Sequence, residues 1–336
     1  MYTHISMQVP IPDWGTSSLF LVWPEVLHGR KHLVGACAQI ASRIPDDIDL
    51  HIVIAGSAFR QNAENTLAEK RPAGTLHFHD LPTVTDIWIR DWAPVPVKKN
   101  DGSRVLVKAK YRPRYFKRSE LVYAERNDRA GRELASILGL PIAELPLVWD
   151  IGNLTHNGAG TAIVSKRIVT DNKDLSEVEV RRLFADILGI DRLLLVVEEP
   201  GDPTGHVDGT FRFLDEHTLA IASYPPECAE ENRWCNERAL ELGVALGEDV
   251  RIIRIPNGPF DLSETESIPS AVNNYLNFLR IGGRMLMPQY GTRYDDAAVD
   301  VVRAACPGLE VIPVAGCGVS DVARLGGVLN CMSWAC

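Results

Sequence analysis

Four short stretches set polar side chains into apolar text: DIWIRDWAP at 86–94, VWDIGN at 148–153, GHVDGT at 205–210 and GGVLNCMSW at 326–334. Polar groups are costly to bury without partners, so stretches of this kind invite a chemical reading. Taken singly, each has a plain one. Arg90 and Asp91 after a strand read as a surface pair, Gly-His-x-Asp-Gly as a turn, and a cysteine after two glycines as a small buried apolar residue. Taken together they supply a nucleophile, a proton carrier and anchors for a planar cation. A thiolate at Cys331 is strongly nucleophilic and is activated by nearby positive charge. His206 has an unperturbed pKa of about 6.5 and can give and take protons near neutrality. Asp91 and Asp208 offer carboxylates, which bind a planar fork of N–H donors through paired, charge-assisted hydrogen bonds. The set suits attack of sulfur on a guanidinium carbon. His206 and Asp208 lie two residues apart, which on a strand puts both side chains on one face.

The elements that must position these residues alternate between strand and helix. The first half reads as a strand in SSLFLVWPE closed by Pro24, helical spacing over 25–43, and a strand at Asp49–Ala55. A helix at 58–70 follows, then strand-like text at Ile87–Ile89 and Val105–Ala109. The later part of 112–135 reads as a helix stopped by Gly139 and Pro141. The second half is more regular. A strand at Thr161–Ser165, an acidic helix at 175–187 and a strand at Leu193–Val197 form one unit. A strand at Thr218–Ser223, a helix at 229–246 and a strand at Val250–Ile255 form the next. A helical segment near 270–280 leads to a strand at Arg284–Pro288, a helix at 295–305 and a strand at Leu309–Pro313. Comparable strands begin near Ala162, Leu219 and Arg284, a repeat of about 60 residues. No Ser/Gly/Pro-rich linker divides the chain, so the expectation is one closed α/β domain over residues 1–336.

Composition narrows the function. The 336 residues are 46% hydrophobic and carry a net charge of −9, which argues against nucleic acid as a partner and is compatible with a cationic substrate. No apolar run approaches the roughly 18 residues that cross a bilayer, so no membrane partner is expected. The start, MYTHISMQVPIPDWG, lacks a basic region followed by an apolar stretch, the pattern of a signal peptide. Seven cysteines without a CxxC pair read as free thiols in a reducing compartment, with no structural zinc site. The expected location is the cytoplasm.

The stretches together resemble the agmatine deiminase and bacterial-type (Porphyromonas-type) peptidyl-arginine deiminase family, within the guanidino-modifying (pentein) superfamily. The resemblance runs from PDWGTSSLFLVWPE to GGVLNCMSW, with GHVDG, NYLNFL at 274–279 and GGVLNC as its most specific matches. It implies a five-bladed α/β propeller of pseudo-fivefold repeats around a central site. It implies a cysteine hydrolase that converts a guanidine, foremost agmatine, to a ureido product (N-carbamoylputrescine) and ammonia, as in polyamine biosynthesis. It makes Cys331 the nucleophile, through a covalent thiouronium, and His206 the general acid/base. Asp91 and Asp208 become the guanidinium anchors. Asp150 falls where the family usually has a glutamate that orients the histidine, and Asn277 falls near an assisting asparagine. Trp14, Trp23, Trp88 and Trp92 are candidates to wall the pocket.

The chain departs from the family pattern at Asp150, at Ala93 in place of a glycine and at Asn330 in place of a histidine, which leaves the particular guanidine open. The expected partner is a small-molecule guanidine; the chemistry needs no metal and no cofactor, and a homo-oligomer is left open. Rival readings keep the same site for peptidyl-arginine, free arginine, a methylated guanidine or amidino transfer. Two others invoke a metal hydrolase using His206, Asp208 and Asp202, or a non-catalytic pentein that binds a macromolecule.

Overall fold

In the computed structural model, residues 8–24, 33–70, 75–259 and 268–336 are described. Their strands form five sheets of three or four strands. Thr218–Ser223 pairs antiparallel with Phe211–Asp215 and, after the helix Ala229–Leu246, parallel with Arg251–Pro256. Arg284–Pro288 takes the same two kinds of partner, Leu279–Ile281 and, beyond the helix Asp295–Ala305, Glu310–Val314. Thr161–Ser165 stands between Thr155–His156 and Arg192–Val196. Arg104–Lys110 stands between Val95–Lys99 and Ile142–Val148, with Gln8–Pro10 on the outer edge. The fifth sheet joins Ser333–Ala335 to Ser18–Val22, Asp49–Ile54 and Leu76–Asp80. Hairpins need only short turns, whereas each parallel step needs a crossover, and here a helix supplies it.

Local chemistry explains the boundaries. The helix Leu121–Leu138 stops at Gly139, whose φ of 63° is the left-handed conformation that caps a helix without a Cβ penalty. Glu177–Leu183 starts at a reciprocal capping box, with the Ser176 hydroxyl accepting from the Glu179 N–H and the Glu179 carboxylate accepting from the Ser176 N–H. The strand Asp49–Ile54, apolar from Leu50 onward except at His51, is buried over those residues. Each fully buried Leu or Ile there contributes about 1.5–3 kcal/mol.

The structure corrects three expectations. Ile87–Ile89 is not a strand: Ile89–Trp92 is a short helical turn, anchored where the Trp88 N–H and the Trp92 indole both donate to Asp86 Oδ1. The segment near 270–280 is not helical; it turns through Asn273, at φ 70°, into the strand Leu279–Ile281. Asn274 Oδ1 there accepts from the N–H groups of Leu276 and Asn277, a side-chain bond that competes with a helix. His206 and Asp208 lie in a loop ahead of Phe211–Asp215, not on a strand. Of the helix expected over 25–43, Val34–Ala41 is present, and residues 25–32 lie outside the described residues. No described helix is long and apolar enough to cross a membrane. All cysteines whose side chains are described are unpaired.

Candidate active site

Cys331 ends the tight loop that precedes Ser333–Ala335, and one side chain organises that loop. Asn277 Oδ1 accepts from the main-chain N–H groups of Val328, Asn330 and Cys331 at 3.1, 3.2 and 3.3 Å. Its amide nitrogen donates to Cys331 Sγ at 3.1 Å and to Asp208 Oδ2 at 3.4 Å. Asn330 donates to the same carboxylate oxygen at 2.7 Å, and Cys331 Sγ lies 3.7 Å from it. A side chain at Gly327 would come within 2.6 Å of the Trp88 ring and 3.0 Å of Cys331 Cβ. The glycine therefore allows the tryptophan to lie against the loop.

His206 is presented by a loop held from below. Asp202 Oδ1 takes the N–H and hydroxyl of Thr204 at 2.8 and 2.7 Å, and Asp202 Oδ2 takes the His206 N–H at 3.2 Å. The imidazole stands between carboxylates: Nδ1 is 3.8 Å from Asp91 Oδ1 and Nε2 is 3.5 Å from Asp150 Oδ2. The Tyr115 ring faces it edge-on at 6.2 Å. Gly152 touches this pair so closely that a Cβ would fall 2.5 Å from both Asp91 Oδ1 and His206 Nδ1.

The charges of these groups follow from burial and from one another. Burial pushes the Cys331 thiol well above its ordinary value, and the carboxylates of Asp208 and Asp91 push it further. Burial works against the His206 imidazolium, but Asp91, Asp150 and Asp208 outweigh it and raise the pKa to about 10. Burial raises Asp91 to about 8, against the pull of His206, with Asp208 and Asp150 adding to the rise. Because three carboxylates face one imidazole, we place the proton on His206. A buried imidazolium beside carboxylates can give up a proton, and a buried thiol gains nucleophilic character when positive charge comes near it.

The sequence-predicted residues Cys331, His206, Asp91, Asp150, Asp208 and Asn277 thus lie together, and Trp88 lines the cleft beside them. Trp92 and Trp23 do not: both are fully enclosed, and the Trp92 indole is spent on Asp86. Trp14 lines a separate small cavity behind the loop, with Asp13, Arg90 and Arg212. Among the described residues, the His/Cys/Asp/Glu groups whose donor atoms converge as metal ligands do not include His206, Asp208 and Asp202.

Residues not singled out from the sequence also hold the site. Arg90 donates to Asp13 through both terminal nitrogens, at 3.2 and 2.8 Å, and through Nε to the Asn330 carbonyl at 3.4 Å. Its own N–H donates to the Cys331 carbonyl at 3.3 Å. A bidentate arginine–carboxylate pair fixes orientation as well as charge, so this pair braces the Cys331 loop from behind. The sole sequence signal was the adjacency of Arg90 to Asp91.

Two lobes open onto Cys331 and His206. One, about 260 Å³, is walled by Glu199, Asp202, Glu230, Glu231 and Asn274. The other, about 320 Å³, is aromatic, with Trp88, Tyr111, Tyr115, Phe116 and Tyr123. In the acidic lobe Glu199 accepts from Tyr224 and Thr210 at 2.6 and 2.7 Å, and burial raises it to about 7.

The family model for Porphyromonas-type peptidyl-arginine deiminase matches residues 12–336. The chain belongs to that family. Its fold is that of solved relatives of the family. C. jejuni agmatine deiminase with substrate bound superposes with a TM-score of 0.81 at 16% identity, over 100% of this chain and 98% of that one. Agmatine deiminase of Enterococcus faecalis gives 0.80 at 18% identity, over 98% and 95%. An amidinotransferase from Microseira wollei gives 0.52 at 10%, over 98% and 96%. At such identities the likeness is one of α/β fold. In this member of the family Asn330 carries a specific contact, the 2.7 Å bond to Asp208.

Proposed function

We propose that the protein is a cysteine deiminase that hydrolyses a small cationic guanidine, with agmatine the leading candidate. The observation that carries this reading is the convergence of a buried thiol, an imidazole and three carboxylates: Cys331 Sγ is 3.7 Å from Asp208, and His206 is 3.8 Å from Asp91 and 3.5 Å from Asp150. Asp91 and Asp208 hold the guanidinium nitrogens. The cation relieves the negative field on Cys331, so binding itself favours the thiolate, and the thiol proton passes to solvent. Sulfur bonds to the guanidinium carbon, and protonated His206 gives its proton as ammonia departs, leaving an amidino-thioether. Neutral His206 then takes a proton from water. The oxygen bonds to the same carbon, the C–S bond breaks, and the ureido product (N-carbamoylputrescine from agmatine) leaves. Asp150 orients His206, and Asn277 supports both Cys331 and Asp208. Splitting one difficult displacement into two is what a covalent nucleophile supplies, and fixed carboxylates supply orientation.

The acidic lobe supports a small substrate with a second positive charge, since Glu230 and Glu231 line it together with Asp208 and Cys331. Fold relatives named agmatine deiminases point the same way. The aromatic lobe also gives room for an amine acceptor, which keeps amidino transfer as a second reading. The test is ammonia release from a panel of agmatine, arginine, methylated guanidines and an arginine peptide, with and without added amines. Turnover of the peptide alone would remove the small-guanidine reading, and transfer to an amine without ammonia would favour the second.

The same proposal extends to architecture. We propose that the five sheets stand as blades of one closed five-bladed propeller spanning the chain. Pairing of Ser333–Ala335 with Ser18–Val22, the last strand with one of the first, supports closure.

A further inference from the structure

The sheet around Ser18–Val22 carries a second polar cluster that shares no residue with the cleft lining. Strand register puts Trp334, Phe20, His51 and His77 in one row across four adjacent strands. The row passes from buried aromatic rings to an imidazole at the sheet edge. Phe20 stacks on His51 with ring centroids 4.2 Å apart, and His51 faces His77 at 4.5 Å. Alternation along the strands adds Asp49, two before His51, and His79, two after His77, to the same face. His51 is only 8% exposed, a position that would ordinarily take an apolar side chain in such a row.

The donor atoms are already gathered. One ligand atom each of Asp49, His51 and His77 lie within 4.8 Å of one another, with His77 Nε2 at 3.9 Å from Asp49 Oδ1. His51 Nδ1 meets His79 Nε2 at 2.8 Å. We infer that Asp49, His51 and His77 form a binding site for one divalent transition-metal ion of the borderline class, such as Zn²⁺ or Co²⁺, with His79 fixing the ring of His51. Two imidazoles and a carboxylate are a donor set for such ions, whereas Mg²⁺ and Ca²⁺ prefer oxygen throughout. When His51 Nδ1–H donates to His79, the His51 Nε2 lone pair is left for the ion, the usual arrangement of a metal-bound histidine and its outer partner.

The site has both rigidity and access. His51 is locked in the sheet, while the His77 and Asp49 side chains are 41% and 49% exposed, so they can turn toward the ion and water can complete its shell. Binding ties the edge strand Leu76–Asp80, which has Asp49–Ile54 as its sheet neighbour, to the body of the sheet. An ion that binds the folded chain alone raises its stability by mass action.

The test uses the full chain with Cys331→Ser, because thiolates also take these metals. Co²⁺ added to chelator-treated protein gives saturable visible absorption and a higher Tm, and Mg²⁺ at the same concentration gives neither. His77→Gln and Asp49→Asn, at half-exposed positions that leave the core intact, lose both responses. His79→Gln weakens binding by roughly 10–100-fold. In the chain with Cys331 intact, His77→Gln leaves guanidine hydrolysis unchanged. Absence of saturable binding overturns the inference. So does binding that persists undiminished in both His77→Gln and Asp49→Asn, which would place the ion elsewhere.

Discussion

Gly152→Ala should disable the site without any change of charge or of catalytic residue type. The added methyl would stand 2.5 Å from Asp91 Oδ1, 2.5 Å from His206 Nδ1 and 2.7 Å from His206 Cε1. An ordinary van der Waals contact begins at about 3.4 Å, so the carboxylate and imidazole together must retreat by roughly an ångström. Neither can do so freely. Asp91 lies in the helical turn anchored on Asp86, and the Gly152 carbonyl itself accepts the Asp208 N–H at 3.3 Å. A misplacement of about 1 Å in a reacting constellation costs on the order of 10²-fold in rate, or about 2.7 kcal/mol of transition-state stabilisation. Overpacking costs roughly 1–3 kcal/mol of stability in addition. The assay is kcat/KM for ammonia release on the preferred guanidine, with Tm measured alongside. A folded Gly152→Ala protein with kcat/KM within threefold of the parent would refute the argument, because the Asp91–His206 separation would then not matter to the reaction.

Three other perturbations separate the roles. Cys331→Ser should abolish turnover while the guanidine still binds by calorimetry, with Cys336→Ser as the control for the neighbouring thiol; residual activity above a few per cent removes Cys331 as nucleophile. Asp91→Asn and Asp208→Asn should each cost about 2–5 kcal/mol in kcat/KM, and near-normal values in both would take them out of the guanidinium site. Stability should also depend on pH through His206. Its folded pKa of about 10 lies above the ordinary 6.5, so its contribution is complete below pH 6.5 and is lost as pH rises through about 10. Tm should decline over that range with a slope that His206→Gln flattens, and an unaltered slope contradicts the assignment of the proton.

Where residue pattern alone decides structure, the chain was legible. The run TAIVS is a strand over Thr161–Ser165, and the helix read at 229–246 is Ala229–Leu246. Those segments have the right period and nothing local to compete with it. GHVDG misled because a spacing of two fits a strand as well as a turn. Gly205 at φ 66° and the Asp202–Thr204 bonds decide for the turn. The result the spacing promised survives by another route, since His206 and Asp208 still flank the same space through a loop. Asn273 and Asn274 break the helix expected near 270–280, and the same break sets Asn277 under the Cys331 loop. Arg90 and Asp13 were illegible for a different reason. They are far apart in the chain, and neither carries a local sign of its partner.

In the proposed mechanism, the placement of charge makes Cys331 depend on substrate for its activation. Asp91, Asp150 and Asp208 surround the single imidazolium of His206, so the cavity is anionic before anything binds. Arg90 is nearby but is committed to Asp13 through both terminal nitrogens, and Arg212 lies over the Phe278 ring at 4.5 Å, also near Asp13. Arg212 is close enough to act on Cys331 as well, but burial and the carboxylates of Asp208 and Asp91 outweigh it. In that field a further anion at Cys331 is disfavoured, which is the upward shift of the thiol. A planar cation between Asp91 and Asp208 removes the obstacle at the moment it brings its carbon to sulfur. A neutral analogue of the same shape would leave the thiol protonated. Discrimination between guanidinium and its neutral isosteres should then appear in alkylation rates at Cys331 as well as in affinity. A cationic, unreactive guanidine that fills the anchors without covering sulfur should accelerate labelling by a small neutral alkylator, and equal rates with and without it would contradict this account of the charge.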